Sequence, residues 1–107
     1  MMNPLQFVKD SVDHDELCCQ LAEEASELAH AALKLRRTQS TQNQTPITYE
    51  EALANLLGEC ADVSLCLVLL GFNSGLNRMK VEGIMDWKIK RWEKRLKGEL
   101  DSVPNQR

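Results

Sequence analysis

Two acidic pairs carry the chemistry this chain could perform: Glu24-Ala-Ser-Glu27 and Glu59-Cys-Ala-Asp62. Each lies inside a largely apolar, helix-favouring segment, and residues three apart on a helix share a face. Each segment therefore offers two carboxylates side by side. If the two helices pack on those faces, four carboxylates meet. Burying unpaired anions is costly. A hard divalent cation with oxygen-ligand preference resolves that conflict, Mg²⁺ above all, with Mn²⁺ as the alternative.

The first pair alone would carry little, because Glu favours helices and an E-x-x-E spacing is common on solvated faces. The second pair weighs more. Asp62 is a poor helix former set mid-helix between Ala61 and Val63, just before the most apolar run. An acid there is expensive unless it is liganded or paired. The structural alternative is a salt bridge to Lys or Arg.

The elements that must position these acids are helical. Asn3 and Pro4 suit a cap and first turn, so residues 3–12 read as a short helix burying Leu5 with Val8 or Phe7. Asp13 and Glu16 approximate a capping box, and no Gly or Pro follows from His14 to Arg37. Leu17, Leu21, Ala25, Leu28, Ala32 and Leu35 recur at spacings of three and four, with Glu24 inside that stripe. Thr38 to Pro46 is a polar loop. Thr48 to Glu51 is a capping box, opening a helix that runs to about Leu70, with Gly71 at its end. Beyond Cys60 that helix is apolar nearly all round, which implies burial on several sides and a partner subunit. A last helix runs from near Asn77 to Leu96 or Gly98, with Val81, Met85, Ile89, Trp92 and Leu96 as its apolar stripe and Lys88, Arg91 and Arg95 beside it. Trp87 and Trp92 read as core residues.

The fold class that follows is all-α: a helical bundle of three long helices plus a short N-terminal helix, in a single domain over 1–100 with a flexible tail over 101–107. The chain has 107 residues, and a domain this small gains from assembly as a dimer or tetramer. Its net charge of −3 argues against a nucleic-acid polymer as partner. The N-terminus has no secretory pattern, and Val63 to Leu70 is too short to cross a bilayer, so a cytoplasmic protein without a membrane partner is expected. Cys18, Cys19, Cys60 and Cys66 then read as reduced core residues. A zinc site on Cys18, Cys19 and His30 lacks the usual ligand spacing. Glu27-x-x-His30 is half of a di-iron pattern whose second half is absent.

In their order and helical placement, these residues resemble MazG-like nucleotide pyrophosphohydrolases, of the all-α NTP pyrophosphatase superfamily. Leu21 to Ala29 is similar to the first acidic helix of that family, Gly58 to Val63 to the second, and Lys88-x-x-Arg91-Trp92 to the basic stretch of the last helix. The resemblance spans about Leu17 to Leu96. It implies a bundle that forms homodimers or homotetramers. It also implies Mg²⁺-dependent hydrolysis of a nucleoside triphosphate, (d)NTP to (d)NMP and pyrophosphate, with house-cleaning of non-standard nucleotides as its role. Glu24, Glu27, Glu59 and Asp62 would be catalytic metal ligands, and Lys88 and Arg91 would bind phosphate. As the alternative to activation of water by the metal, one carboxylate, Glu23 or Glu27, would serve as base. The competing reading is a non-catalytic helical module that dimerises through Val63 to Leu70.

Overall fold

A computed structural model describes residues 3–40 and 46–99. The expected flexible tail, and most of the polar loop after Thr38, lie outside the described residues. Four helices follow in order: α1 (Pro4–Ser11), α2 (His14–Thr38), α3 (Tyr49–Leu69) and α4 (Gly75–Leu96), with no strand among the described residues. The all-α class and the four-helix order are as the sequence predicts.

The helix starts follow from side chains that satisfy free backbone N–H groups. Asn3 Oδ1 accepts from Gln6 N at 2.8 Å, with Pro4 in the first turn. Asp13 Oδ1 accepts from Glu16 N at 2.8 Å. Thr48 and Glu51 form the reciprocal box: Glu51 N donates to Thr48 Oγ1 at 3.1 Å, and Thr48 N donates to Glu51 Oε1 at 3.4 Å. At the other end of α3, Gly71 takes φ +79, a left-handed conformation that a side chain would strain.

The chain divides into two compact units, Met1–Gly71 and Phe72–Arg107. In the first, α2 and α3 pack as an antiparallel hairpin and α1 touches α3. Its core is thin: Leu17 and Ala31 of α2, and Ala52, Cys66, Leu69 and Leu70 at α3, are the buried apolar residues. Leu5, Phe7 and Val8 of α1 are exposed, contrary to expectation, because an eight-residue helix touching one neighbour has little to bury against. Leu57, Leu65 and Val68 of α3 are exposed too. Helix α3 has 21 residues and a mean hydropathy of 1.7, long and apolar enough by those measures to cross a membrane. A core helix meets the same measures, and Glu59 and Asp62 sit at its middle, where charge is expensive in lipid.

In the second unit, α4 buries no residue. Its expected stripe is exposed at Val81, Met85, Ile89, Trp92 and Leu96, and Trp87 is exposed as well. The two tryptophans are therefore not core residues here. Three i,i+4 ion pairs run along its surface: Arg78–Glu82, Lys90–Asp86 and Lys97–Glu93. Surface pairs of this kind add only a few tenths of a kcal/mol each, about 0.3–0.5.

Candidate metal centre

Helix α2 carries Glu24 and Glu27 one turn apart, and α3 carries Glu59 on the facing helix. One carboxylate oxygen from each of these three residues lies within 4.8 Å of the others. Glu24 and Glu59 are half-buried and Glu27 is exposed. Oε2 of Glu24 and Oε2 of Glu59 are both shielded from solvent and accept no hydrogen bond. Two orphaned carboxylate oxygens in one hairpin are unusual, since buried polar atoms are nearly always paired.

The electrostatics follow from that arrangement. Burial pushes the Glu59 carboxyl above its ordinary value, and the charges of Glu27, Asp62 and Glu24 push it further. Burial also raises Glu24. The Gln20 amide partly opposes the shift, and the Glu27 and Asp62 charges add to it. Each half-buried acid thus holds a proton more tightly than usual, and a cation would relieve the same repulsion. Every donor in the group is oxygen, which suits Mg²⁺, Mn²⁺ or Ca²⁺ better than a soft metal.

The sequence expectation placed four acids together, and the hairpin gathers three of them. Asp62 is exposed and outside the group of three, although its charge reaches both Glu24 and Glu59. The costly acid on α3 is therefore Glu59, one turn before the position that sequence reasoning had singled out. The salt-bridge alternative is not realised among the described residues: all the ion pairs lie on α4, and none includes an acid of this group.

A cavity of about 320 Å³ adjoins the acids. Val8 from α1, Val12 just after it, Leu17 from α2, and Leu65 and Leu69 from α3 give it apolar walls, while Glu24 and Asp62 reach it from the acidic side. Gln20 and Cys66 also line it. Burial, then the charges of Glu24 and Asp62, raises the Cys66 thiol above its ordinary value. Cys66 is the buried cysteine, as expected, but Cys18, Cys19 and Cys60 are exposed. Their positions fall on the outer faces of a two-helix hairpin too thin to enclose them. His30 is exposed and takes no part in the group of acids.

Lys88 and Arg91 belong to α4, in the second unit. Lys88 is exposed. Arg91 is half-buried, its guanidinium 5.4 Å from the centroid of the Trp87 ring, within cation–π range. Trp87, Lys88, Arg91, Trp92 and Arg95 line a shallow groove of about 350 Å³ along that helix.

Sequence reasoning missed Gln20. Its Nε2 donates to Glu24 Oε1 at 2.9 Å, and the signal available was its place four residues before Glu24 on the same helix face. It also missed Val8 and Val12 as cavity walls, because α1 reads as a generic short helix. No protein-family model, no curated protein and no solved structure matches the chain.

Proposed function

We propose that this protein is a Mg²⁺-dependent nucleoside triphosphate pyrophosphohydrolase, converting a (d)NTP to the (d)NMP and pyrophosphate. The observation that carries the reading is the pair of half-buried, unpartnered carboxylates, Glu24 and Glu59, converging from facing helices with Glu27 beside them. The order of the acidic and basic motifs, similar to the MazG-like family, supplies the reaction class.

On this reading Glu24, Glu27 and Glu59 hold the cation, and Asp62 contributes at the solvent edge. A divalent ion held there would neutralise phosphate charge and acidify a coordinated water. The protein's own groups do the rest. Glu23, or Glu27 in place of its contact with the cation, accepts a proton from the attacking water. The water oxygen bonds to the α-phosphorus, the bond from that phosphorus to the bridging oxygen breaks, and the electron pair leaves with pyrophosphate. On α4, Lys88 and Arg91 are the phosphate-binding candidates that the resemblance implies, Arg91 offering a planar fork of donors and Lys88 a point charge. Homodimers or homotetramers, assembled through the part of the Val63 to Leu70 stretch left exposed at Leu65 and Val68, complete the reading.

A panel of ribo- and deoxynucleoside triphosphates assayed for pyrophosphate release with Mg²⁺ tests it. Turnover of at least one nucleotide is expected, with loss in Glu59→Gln and Asp62→Asn while the fold stays intact. Full turnover in both variants would refute the assignment of ligands. The exposed Leu57, Leu65 and Val68 favour a second reading, a non-catalytic helical module that assembles through α3. Such a module would release no pyrophosphate from any nucleotide and would show no specific response to Mg²⁺.

A further inference from the structure

Glu24 stands apart from the other acids because it is held from outside the group. The Gln20 side-chain amide reaches one turn along α2 and donates to Glu24 Oε1 at 2.9 Å. The second oxygen, Oε2, is left without a hydrogen bond and hidden from solvent. A carboxylate free to rotate would turn its oxygens toward water and away from Glu27 and Glu59. With Oε1 tied to an amide on the same helix, the rotation is restricted and Oε2 is kept on the inner side. Gln20 also lines the cavity that Glu24 and Asp62 line.

We propose that Gln20 is a positioning residue: its amide aims Glu24 into the acidic group and thereby sets the affinity of the site for a divalent cation. The inference rests on the reading of Glu24, Glu27 and Glu59 as cation ligands. It assigns Gln20 no contact with the cation. Partners that orient a ligating carboxylate commonly change metal affinity by about 10- to 100-fold when removed.

The test is a titration with Mn²⁺ alone, free ion being followed by its paramagnetic resonance signal, on the full chain without nucleotide. Gln20→Met keeps the length of the side chain and removes the donor. Gln20 is exposed, so the fold should not depend on it. The expected result is a dissociation constant raised about 10- to 100-fold over the unmodified protein. The second arm places Gln20→Met in a Glu24→Gln background. Gln20 acts only through Glu24, so it should there change affinity less than about twofold, the non-additivity expected of coupled neighbours. A purely structural effect of Gln20 would persist in that background. Unchanged affinity in Gln20→Met, or equal losses in both backgrounds, overturns the positioning role while leaving the cation site standing. If the unmodified protein binds no Mn²⁺, the cation reading itself falls and the role of Gln20 falls with it.

Discussion

Neutralising Glu59 should remove most of the cation-dependent stabilisation of the α2–α3 hairpin. The three carboxylate oxygens lie within 4.8 Å of one another. Oxygens on opposite sides of a Mg²⁺ ion stand about 4.2 Å apart, twice a bond of roughly 2.1 Å. Three ligands include at least two neighbouring pairs, about 3.0 Å apart at the same bond length, so closing the group onto the ion brings a pair together by at most roughly 1.8 Å, within reach of the exposed Glu27 side chain. The unfolded chain has no such preformed group, so binding adds directly to stability. At a hundred times the dissociation constant the gain is about 2.7 kcal/mol. A domain of this size gains about 4–8 °C in melting temperature per kcal/mol. The unmodified protein should then melt roughly 10–20 °C higher in saturating Mg²⁺. Glu59 is the α3 contribution to the group, and Glu59→Gln should lower affinity by about 100-fold or more, beyond what outer partners cost. At the same Mg²⁺ concentration the gain falls to about 0.4 kcal/mol, a shift of roughly 2–3 °C. Thermal melting followed by circular dichroism reads both shifts. KCl at matched ionic strength controls for simple screening of exposed acids. Equal shifts in Glu59→Gln and the unmodified protein, or a shift that KCl reproduces, would refute the reasoning.

The remaining expectations are narrower. Glu24 and Glu59 bind protons more tightly folded than unfolded. Their contribution to the stability of cation-free protein is fully present below the ordinary glutamate value and lost as pH rises through the raised folded values. Cation-free protein should therefore melt higher at the acidic end of that window, relative to a Glu24→Gln, Glu59→Gln double variant, and a flat difference across the window would contradict this. Under native conditions an aromatic disulfide reagent should titrate Cys18, Cys19 and Cys60 readily and Cys66 only on unfolding, since Cys66 alone is buried and its thiol is shifted upward. Four equally fast thiols would show that the hairpin opens freely around Cys66.

The helices were legible because their ends are written in short-range chemistry. Asn3, Asp13 and Thr48 each cap the helix they were expected to cap, and Gly71 ends α3. The last helix begins at Gly75, two residues before the expected start, because Ser74 supplies no side-chain cap to mark the boundary. Convergence of the acids was legible from spacing on two helices. Which acid would be buried was not. Periodicity places Glu59 and Asp62 on one face of α3, but packing against α2 leaves Glu59 half-buried and Asp62 exposed. Burial was misjudged most on α4 and α1. An apolar stripe such as Met85, Ile89 and Trp92 indicates a face suited to contact, and says nothing of whether the covering surface comes from the same chain.

Ala31 and Ala52 are buried at one end of the hairpin, Ala52 almost completely at 1% exposure, while Leu17, Cys66 and Leu69 fill the other. Methyl-sized contacts let helical backbones draw close, and bulkier ones hold them apart. The glutamates lie along the hairpin between these two sets of contacts, so packing at either end bears on how far apart α2 and α3 hold them. Ion preference would then be tuned by alanines that touch no ion: widening the alanine end, as in Ala52→Leu, should tilt the site from magnesium toward the larger calcium. A ratio of the two affinities left unmoved by that change would mean the glutamate side chains alone set the fit.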